Sequence, residues 1–411
     1  MNRIATALLF AASLSAAPVL AQEVAPDAVL DTYADIALAG YEDALTTAQA
    51  LDAAIDTLIA APNEEHLAAA RDAWRAARIP YQQTEAFRFG NAVVDAWEGM
   101  VNAWPLDEGL IDYVDASYGT ESDENSLYTA NVIADAAAYP ELTPDVLANQ
   151  LQEAGGVEAN VATGYHAIEF LLWGQDLNGT GPGAGARPAT DYDLANCSGG
   201  NCERRAQYLK AASTLLVSDL GDMVAVWSEG GEGRAELAKS GVSAILTGMG
   251  SLSFGEVAGE RMKLGLLLHD PEEEHDCFSD NTHISHLYDV VGIRNVYLGR
   301  YERTDGSVVE GPSLSALIAA KNVALDTEIR GLLDKSLADA QAMADRAKTV
   351  EAYDQMIGEG NAEGNAVVQT VIDDLIAQPR GIERAVALLD LKDSVTIEES
   401  DSLTNPEAVF Q

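Results

Sequence analysis

The sequence has few positively charged residues and a large excess of acidic ones. Its 411 residues include 24 Lys and Arg against 66 Asp and Glu, which gives a formal net charge of −42. The field of such a chain repels phosphate, so nucleic acid and anionic lipid are excluded as general partners. The same field gathers cations near the surface, although solubility in a salty medium also explains this composition.

The sequence also lacks long hydrophobic segments. Beyond the N-terminus, no stretch reaches the roughly 18 uninterrupted apolar residues that suggest a transmembrane helix. The N-terminus has the features of a signal peptide: Arg3, a small-residue apolar stretch, and small side chains at Val19 and Ala21 before Gln22. We predict that residues 1–21 are a signal peptide cleaved after Ala21, and that the mature protein is periplasmic or secreted.

Cysteine is scarce, with three residues in the whole chain. Cys197 and Cys202 enclose the turn-forming sequence "SGGN". In an oxidising compartment this pair can form a disulfide. A zinc-binding pair is the alternative, but no second Cys/His pair with suitable spacing accompanies it. We predict a Cys197–Cys202 disulfide, with Cys277 as a buried free thiol.

The periodicity of apolar residues predicts an all-α protein, because alanine is abundant and β-branched alternation is scarce. Asp27–Ile59 reads as one long helix, and Asn63 is a plausible N-cap for a second helix that contains Pro80. Further helical patterns occupy Leu127–Ala138, Pro144–Glu153, Glu158–Trp173, residues 203–227, Ala235–Leu268, Ser313–Leu333, Ser336–Ala347 and Asn361–Ile376.

A Gly/Pro-rich run from Asn178 to Cys202 is the best domain boundary in the chain. We therefore predict two helical bundles packed side by side, an N-terminal one over residues 22–195 and a C-terminal one over residues 196–411. Each half opens with two long helices and later carries a polar motif. This order resembles a divergent duplication.

The stretch "GYHAIEFLLWGQD" places His166 and Glu169 three residues apart within an apolar run. On a helix these residues are neighbours at the edge of the buried face. That geometry suits two ligands of one metal ion, and it equally suits a glutamate that orients a histidine by a hydrogen bond. The motif lacks the second histidine of the zinc-binding H-E-x-x-H and H-x-x-E-H helices, since Phe170 occupies that position.

A second polar stripe lies on the helix within "ARDAWRAARIPYQQTEAFRFG". Mixed arginine, glutamate and aromatic residues on one helical face suggest either a partly buried ligand pocket or an ion-paired seam between bundles. The residues of the stripe are Arg71, Trp74, Arg78, Tyr81, Glu85 and Phe89.

A third cluster, residues 266–289, contains four of the six histidines. We expect Glu272, Glu273, Glu274 and Asp276 to form a solvated loop after Pro271. Asp280 is a plausible N-cap for the helix that follows. His283 and His286 repeat the spacing of His166 and Glu169, so they could face that pair across the domain interface, and a surface position for His286 is an equal alternative.

Four segments in order resemble the imelysin-like family, specifically its iron-regulated protein A branch. "GYHAIE" matches the G-x-H-x-x-E motif of that family, and the other three are "WRAARIPYQQTEAFRFG", "WPLDEGLIDYV" and "EEEHDCFSDNTH". The resemblance covers nearly the whole mature chain. It implies an exported protein of two helical bundles that is linked to iron uptake, with a metal site near the domain interface.

Carried over by position, the resemblance places His166 and Glu169 in the metal site. We expect a divalent Fe, Mn or Zn ion, or an iron-containing ligand, and the resemblance implies an iron-uptake partner in the membrane. The family has been classed with metallopeptidases, which is an alternative function, although we expect no working protease. A third alternative is a helical interaction protein with a structural His–Glu pair. Further candidate pocket residues are Glu85, Arg71, Arg78, Asp280 and His283.

Overall fold

The computed structural model describes residues 24–410 and shows a mainly helical protein, which confirms the predicted all-α class. The predicted signal peptide lies outside the described residues. The first helices are α1 (Pro26–Ala60), α2 (Glu64–Thr84), α3 (Ala92–Glu98), α4 (Glu108–Ile111), α5 (Pro144–Val146) and α6 (Gly164–Trp173). The later ones are α7 (Cys202–Trp227), α8 (Glu232–Ser240), α9 (Val242–Ser251), α10 (Leu264–Leu268), α11 (Thr282–Leu298), α12 (Leu314–Lys321), α13 (Val323–Thr349), α14 (Tyr353–Ile357), α15 (Ala362–Leu388) and α16 (Asp401–Thr404).

The first two helices form where the sequence predicts them. The Asn63 side chain accepts a hydrogen bond from the His66 backbone N–H, which satisfies a backbone donor at the start of α2. Helix α2 then continues through Pro80 as far as Thr84, and a 3₁₀ turn over Glu85–Phe87 follows it. The two helices pack along each other through apolar residues.

Helices from the two sides of the Gly/Pro-rich run pack closely together. Helix α7 lies against both α1 and α6, and α11 lies against α2. The buried apolar residues belong to one contiguous cluster that extends from Val29 to Val386. The division into bundles over residues 22–195 and 196–411, and their origin by duplication, therefore stay predictions.

Several of the predicted helix limits are wrong. Leu127–Ala138 forms turns instead, where the Asn125 side chain accepts from the Leu127 N–H and so competes with helical hydrogen bonding. The helix predicted from Glu158 begins only at Gly164, which has a φ of +75°. Ala235–Leu268 is interrupted at Gly241, whose φ of +66° ends α8.

The C-terminal half contains further elements that the periodicity does not reveal. A π-helix over Leu252–Lys263 joins α9 to α10. An antiparallel hairpin follows α11 and pairs Arg300 with Glu310, formed by strands β1 (Arg300–Glu302) and β2 (Val308–Glu310). The helix predicted from Ser313 breaks at Asn322, whose side chain accepts from the Leu325 N–H and caps α13.

The predicted Cys197–Cys202 disulfide is present, and Cys277 is a buried free thiol, as predicted. Among residues 24–410, every helix is too short or too polar to traverse a lipid bilayer.

Candidate metal centre

Helix α6 carries His166 and Glu169 into the protein interior. The helix begins at Gly164, where the chain turns with positive φ, and a side chain there would collide with the Val101 carbonyl. The Tyr165 N–H donates to the same carbonyl at 2.8 Å, which fixes the start of the helix. The glycine of the G-x-H-x-x-E pattern therefore sets the direction in which the histidine enters the core.

The two polar side chains of α6 are hydrogen-bonded to each other. His166 Nδ1 lies 3.1 Å from Glu169 Oε2, and both residues are buried. The Ser279 backbone N–H donates to Glu169 Oε1 at 3.0 Å. His166 Nε2, in contrast, is buried and has no hydrogen-bond partner within residues 24–410. The glutamate thus orients the imidazole ring and leaves one of its nitrogens available.

Asp276 lies beside this pair, in the segment that connects α10 to α11. Its Oδ1 is 4.0 Å from His166 Nδ1 and accepts a hydrogen bond from the Arg78 guanidinium at 2.9 Å. Its Oδ2 accepts from Asn281 Nδ2 at 3.0 Å and from the Ser285 hydroxyl. The carboxylate is therefore held in one orientation by residues from α2 and α11.

His275 completes a group that could hold a metal ion. One nitrogen of His166, one nitrogen of His275 and one oxygen of Asp276 lie within 4.8 Å of one another, and all three residues are buried. The rings of the two histidines meet edge to face, with centroids 4.7 Å apart. Two imidazoles and a carboxylate are a suitable donor set for Fe, Mn or Zn, and in the described part of the chain one buried imidazole nitrogen has no hydrogen-bond partner. Glu169 is not one of the three residues.

Burial keeps both histidines in the neutral form that metal ligands require. Desolvation, with Arg78 nearby, lowers the pKa of His166 to about 3, and it lowers the pKa of His275 well below its usual value. Burial and the neighbouring Asp276 raise the pKa of Glu169 well above normal. Burial opposes ionisation of Asp276 as well, but Arg78, His166 and the hydrogen bonds from Ser285 and Asn281 together lower its pKa.

The structure separates the predicted residues of the polar stripe on α2. Arg78 is buried at the centre and bridges Asp276 to Asn102, whose oxygen accepts at 2.6 Å. Arg71 lies outside the cluster, because its guanidinium donates to the backbone carbonyls of Leu172 and Arg187. Glu85 pairs with Arg261 at 2.7 Å.

The acidic stretch after Pro271 is not the solvated loop that the sequence suggests. Glu274 and Asp276 are buried, and only the start of the stretch is open to solvent. Asp276 pairs with the Arg78 guanidinium in the interior. The run of acidic residues in the sequence does not predict this contact.

The other candidates of this region surround the cluster. His283 is mostly buried, and the surface position considered for His286 is wrong, since this residue is completely buried. Asp280 is half-buried and has a φ of +53°, so it precedes the N-cap instead of forming it, and Asn281 occupies the cap position.

A cleft of about 550 Å³ reaches His275 from the surface. Arg88 and Arg261 line it, and both are paired with the lining residue Glu256. An excess of carboxylates remains, and it gives the cleft a negative field that attracts cations. The acidic lining residues are Glu98, Glu153, Glu158, Glu256, Glu260 and Glu273.

Comparison with solved structures shows the same fold in two other proteins. The iron-regulated protein A precursor of Parabacteroides distasonis matches with a TM-score of 0.64 and 21% identity over 89% of this chain and 95% of that one. An imelysin-like protein of Psychrobacter arcticum matches with a TM-score of 0.58 and 16% identity over 91% and 99%.

Sequence comparison identifies the family. The iron-regulated protein A of Synechococcus elongatus is 38% identical over 76 residues, which make up 18% of this chain and 21% of that protein. The chain thus aligns with about a fifth of that relative's length. The family model described as Imelysin matches residues 37–381, most of the chain. The chain therefore belongs to the imelysin family.

Proposed function

We propose that this protein is an exported metal-binding protein of iron uptake, and that His166, His275 and Asp276 hold its metal ion. The observation that carries the proposal is the convergence of these three side chains within 4.8 Å, together with a His166 nitrogen that has no hydrogen-bond partner among the residues that the structure describes. In this arrangement Glu169 orients His166, as carboxylates beside metal-ligating histidines commonly do. This role differs from that of a direct ligand, which the motif alone equally allows.

When no metal ion is bound, Arg78 supplies the positive charge of the site. It lies 2.9 Å from Asp276, and both side chains are fully buried. A buried carboxylate requires such a partner, because desolvation of an unpaired charge is costly. A cation that binds Asp276 competes with this guanidinium. We therefore expect metal affinity to depend on how easily Arg78 turns away.

The acidic cleft supports the delivery of a cation to the site. His275 lines the cleft and is one of the three proposed ligands. The names of the relatives connect the family to iron, and the donor set accepts Fe, Mn and Zn alike. The proposal includes a periplasmic location and a membrane partner that takes over the metal.

Titration calorimetry of Fe(II), Mn(II) and Zn(II) into the wild type and into Asp276→Asn tests the proposal. Loss of a ligand should weaken binding by more than the roughly 10–100-fold that an outer-shell partner contributes. His66→Gln, at the start of α2, removes a histidine outside the cluster and should bind as the wild type does. Absence of metal binding by the wild type, or equal binding by Asp276→Asn, would defeat the proposal.

A metallopeptidase is the second candidate, because two histidines and one carboxylate resemble a catalytic zinc site with an open position. Glu169, the nearest candidate for a general base, is tied to His166 and to the Ser279 N–H. We therefore expect no hydrolysis of casein by the zinc-loaded protein. Hydrolysis that disappears in Asp276→Asn would favour the peptidase instead.

A further inference from the structure

A second cleft of about 550 Å³ lies next to the first and shares Trp104, Pro105 and Glu273 with it. Its remaining lining comes from α4, from the loop that contains Tyr118 and Tyr128, and from residues 175–179 and 272–278. Neither His166 nor Asp276 lines it. Its volume is within the range of small-molecule sites, roughly 300–1,000 Å³. The metal proposal does not explain this cleft.

Aromatic rings form part of the wall of the second cleft. Tyr118 and Tyr128 stack with ring centroids 4.2 Å apart and planes 10° from parallel. The Tyr128 hydroxyl donates to the Tyr118 carbonyl at 3.1 Å, which fixes the stack. Phe278 and Trp104 also line the cleft. Such rings provide apolar contact and, through their faces, attraction for cations.

The charged groups of the second cleft all have one sign. Five carboxylates line it, and no lysine, arginine or histidine appears among the described lining residues. The first cleft differs in this respect, because two arginines neutralise part of its negative charge. A negative, partly aromatic cleft selects against anions and favours a cation with an apolar body. The five acidic residues are Asp107, Glu108, Asp176, Glu272 and Glu273.

Glu108 is the buried member of this group, with 4% of its surface exposed. Its Oε1 has a long contact of 3.5 Å from Gln175 Nε2, and the Glu108 backbone N–H also interacts with the carboxyl group, which lines the cleft. Burial, followed by the nearby Glu272, raises the pKa of Glu108 to about 8. The carboxyl group of Glu108 is therefore mostly protonated at pH 7, and a cationic partner favours its ionised form.

We infer that the second cleft binds an organic cation, an amine or a guanidinium on an apolar body. Glu108 pairs with the charged group, and the rings of Tyr118, Tyr128 and Phe278 contact the apolar part. A bare metal ion makes no use of these rings, whereas an organic cation uses both the carboxylates and the aromatic wall. This inference is independent of the proposed metal centre.

Titration calorimetry with three organic cations at low ionic strength tests the inference. The probes are benzylamine, spermidine and arginine methyl ester, with benzyl alcohol as the neutral counterpart and Ca²⁺ as the inorganic cation. We expect at least one amine to bind and benzyl alcohol not to bind. Glu108→Gln keeps the shape and removes the charge, so it should weaken amine binding about 10–100-fold.

Two further variants make the test specific. Glu124→Gln removes one charge from an exposed residue of the loop between Tyr118 and Tyr128 that does not line the cleft, and it should bind the amines as the wild type does. Glu272→Gln changes an exposed lining residue and should weaken binding about two- to fivefold. If Glu108→Gln does not fold, the comparison of these two variants decides the outcome.

The inference is overturned if none of the three amines binds, or if Ca²⁺ binds and they do not. It is also overturned if folded Glu108→Gln binds them as tightly as the wild type. Titration of Zn(II) into Glu108→Gln reports on the proposed metal centre, and we expect its Zn(II) affinity to equal that of the wild type. The metal proposal and the organic-cation inference can therefore fail independently of each other.

Discussion

At the scale of single residues, His166 and Glu169 illustrate how a buried polar pair reveals itself in sequence. An apolar helix that contains a histidine and a glutamate three residues apart requires partners for both, because unpaired buried polar groups are costly. The structure provides them: each contacts the other, and Ser279 donates to the glutamate. The sequence thus predicts the pair, although the motif alone does not distinguish an orienting carboxylate from a ligand.

His275 and Asp276 could not be predicted with the same ease. They follow three glutamates, and such a run normally lies in solvent. The burial of Asp276 depends on Arg78, which is 198 residues away in the chain. Only tertiary structure brings these residues together, so the local pattern is misleading here.

Glu169→Gln should weaken metal binding about 10–100-fold and leave the fold intact, because glutamine keeps the shape but holds the His166 ring less strongly. Calorimetric titration of Zn(II), with thermal unfolding measured in parallel, checks this prediction. Glu141→Gln, an exposed change of the same type, is the matched control. Unchanged affinity with altered stability would show that the pair is only structural.

His286 should make the stability of the protein depend on pH. The residue is fully buried, and neither ring nitrogen has a hydrogen-bond partner among the described residues. Burial, followed by Arg261, lowers its pKa to about 3, while Asp276 acts in the opposite direction. His283 and Arg78 also face the ring and lower its pKa. Asp289 Oδ2 lies 4.0 Å from Nδ1.

The sign of this effect follows from proton binding. Between pH 6.5, the usual histidine pKa, and pH 3, the unfolded chain binds a proton at His286 that the folded protein does not. Stability therefore falls as the pH decreases through this window. The difference in the free energy of unfolding between His286→Phe and the wild type should therefore shift by about 3 kcal/mol in favour of the variant when the pH is lowered from 7 to 4.

Urea denaturation at pH 7, 5 and 4 measures this difference. His286→Gln, which is polar but does not titrate, should flatten the pH profile to the same extent. A variant profile parallel to that of the wild type would contradict the prediction.

At the scale of elements, the sequence predicts helices well where periodicity and caps agree. Helices α1 and α7 follow the expected limits closely, and Asn63 caps α2 as expected. The breaks are harder to predict, because they depend on backbone conformation. At Gly164 and Gly241 the chain adopts positive φ. A glycine within an apolar, periodic segment does not by itself predict this conformation.

The Gly/Pro-rich run between α6 and α7 is anchored by buried charge. Arg187 of this run donates to Asp112 at 2.7 Å, and Arg205 of α7 donates to the same carboxylate at 2.6 Å. All three side chains are buried. One aspartate thus fixes a long irregular segment to the helix that follows it.

Asp112→Ala should destabilise the protein by about 3–5 kcal/mol, because it leaves two guanidinium groups buried without their main partner. Urea denaturation gives the change in the free energy of unfolding. Asp123→Ala, at an exposed position, should change it by less than about 0.5 kcal/mol. Similar values for the two variants would show that Asp112 does not anchor the run.

At the scale of the whole molecule, the dominant property is the net charge of −42. The 24 basic residues can pair one-to-one with only a minority of the 66 acidic ones. More acidic than basic residues are buried among residues 24–410, but most of the acidic residues remain outside the core, so the surface stays strongly acidic. Self-repulsion of these charges opposes the compact state, and salt screens it.

The wild type should therefore unfold at a higher temperature as ionic strength increases. Between 0.01 M and 1 M salt the screening length falls from about 30 Å to about 3 Å, so repulsion between distant carboxylates disappears while buried ion pairs are little affected. Thermal unfolding in NaCl and in tetramethylammonium chloride at equal ionic strength separates screening from cation binding. General screening predicts equal increases in Tm for the two salts. An increase confined to NaCl would show that sodium ions bind to specific sites, and a constant Tm would contradict a destabilising role of the surface charge.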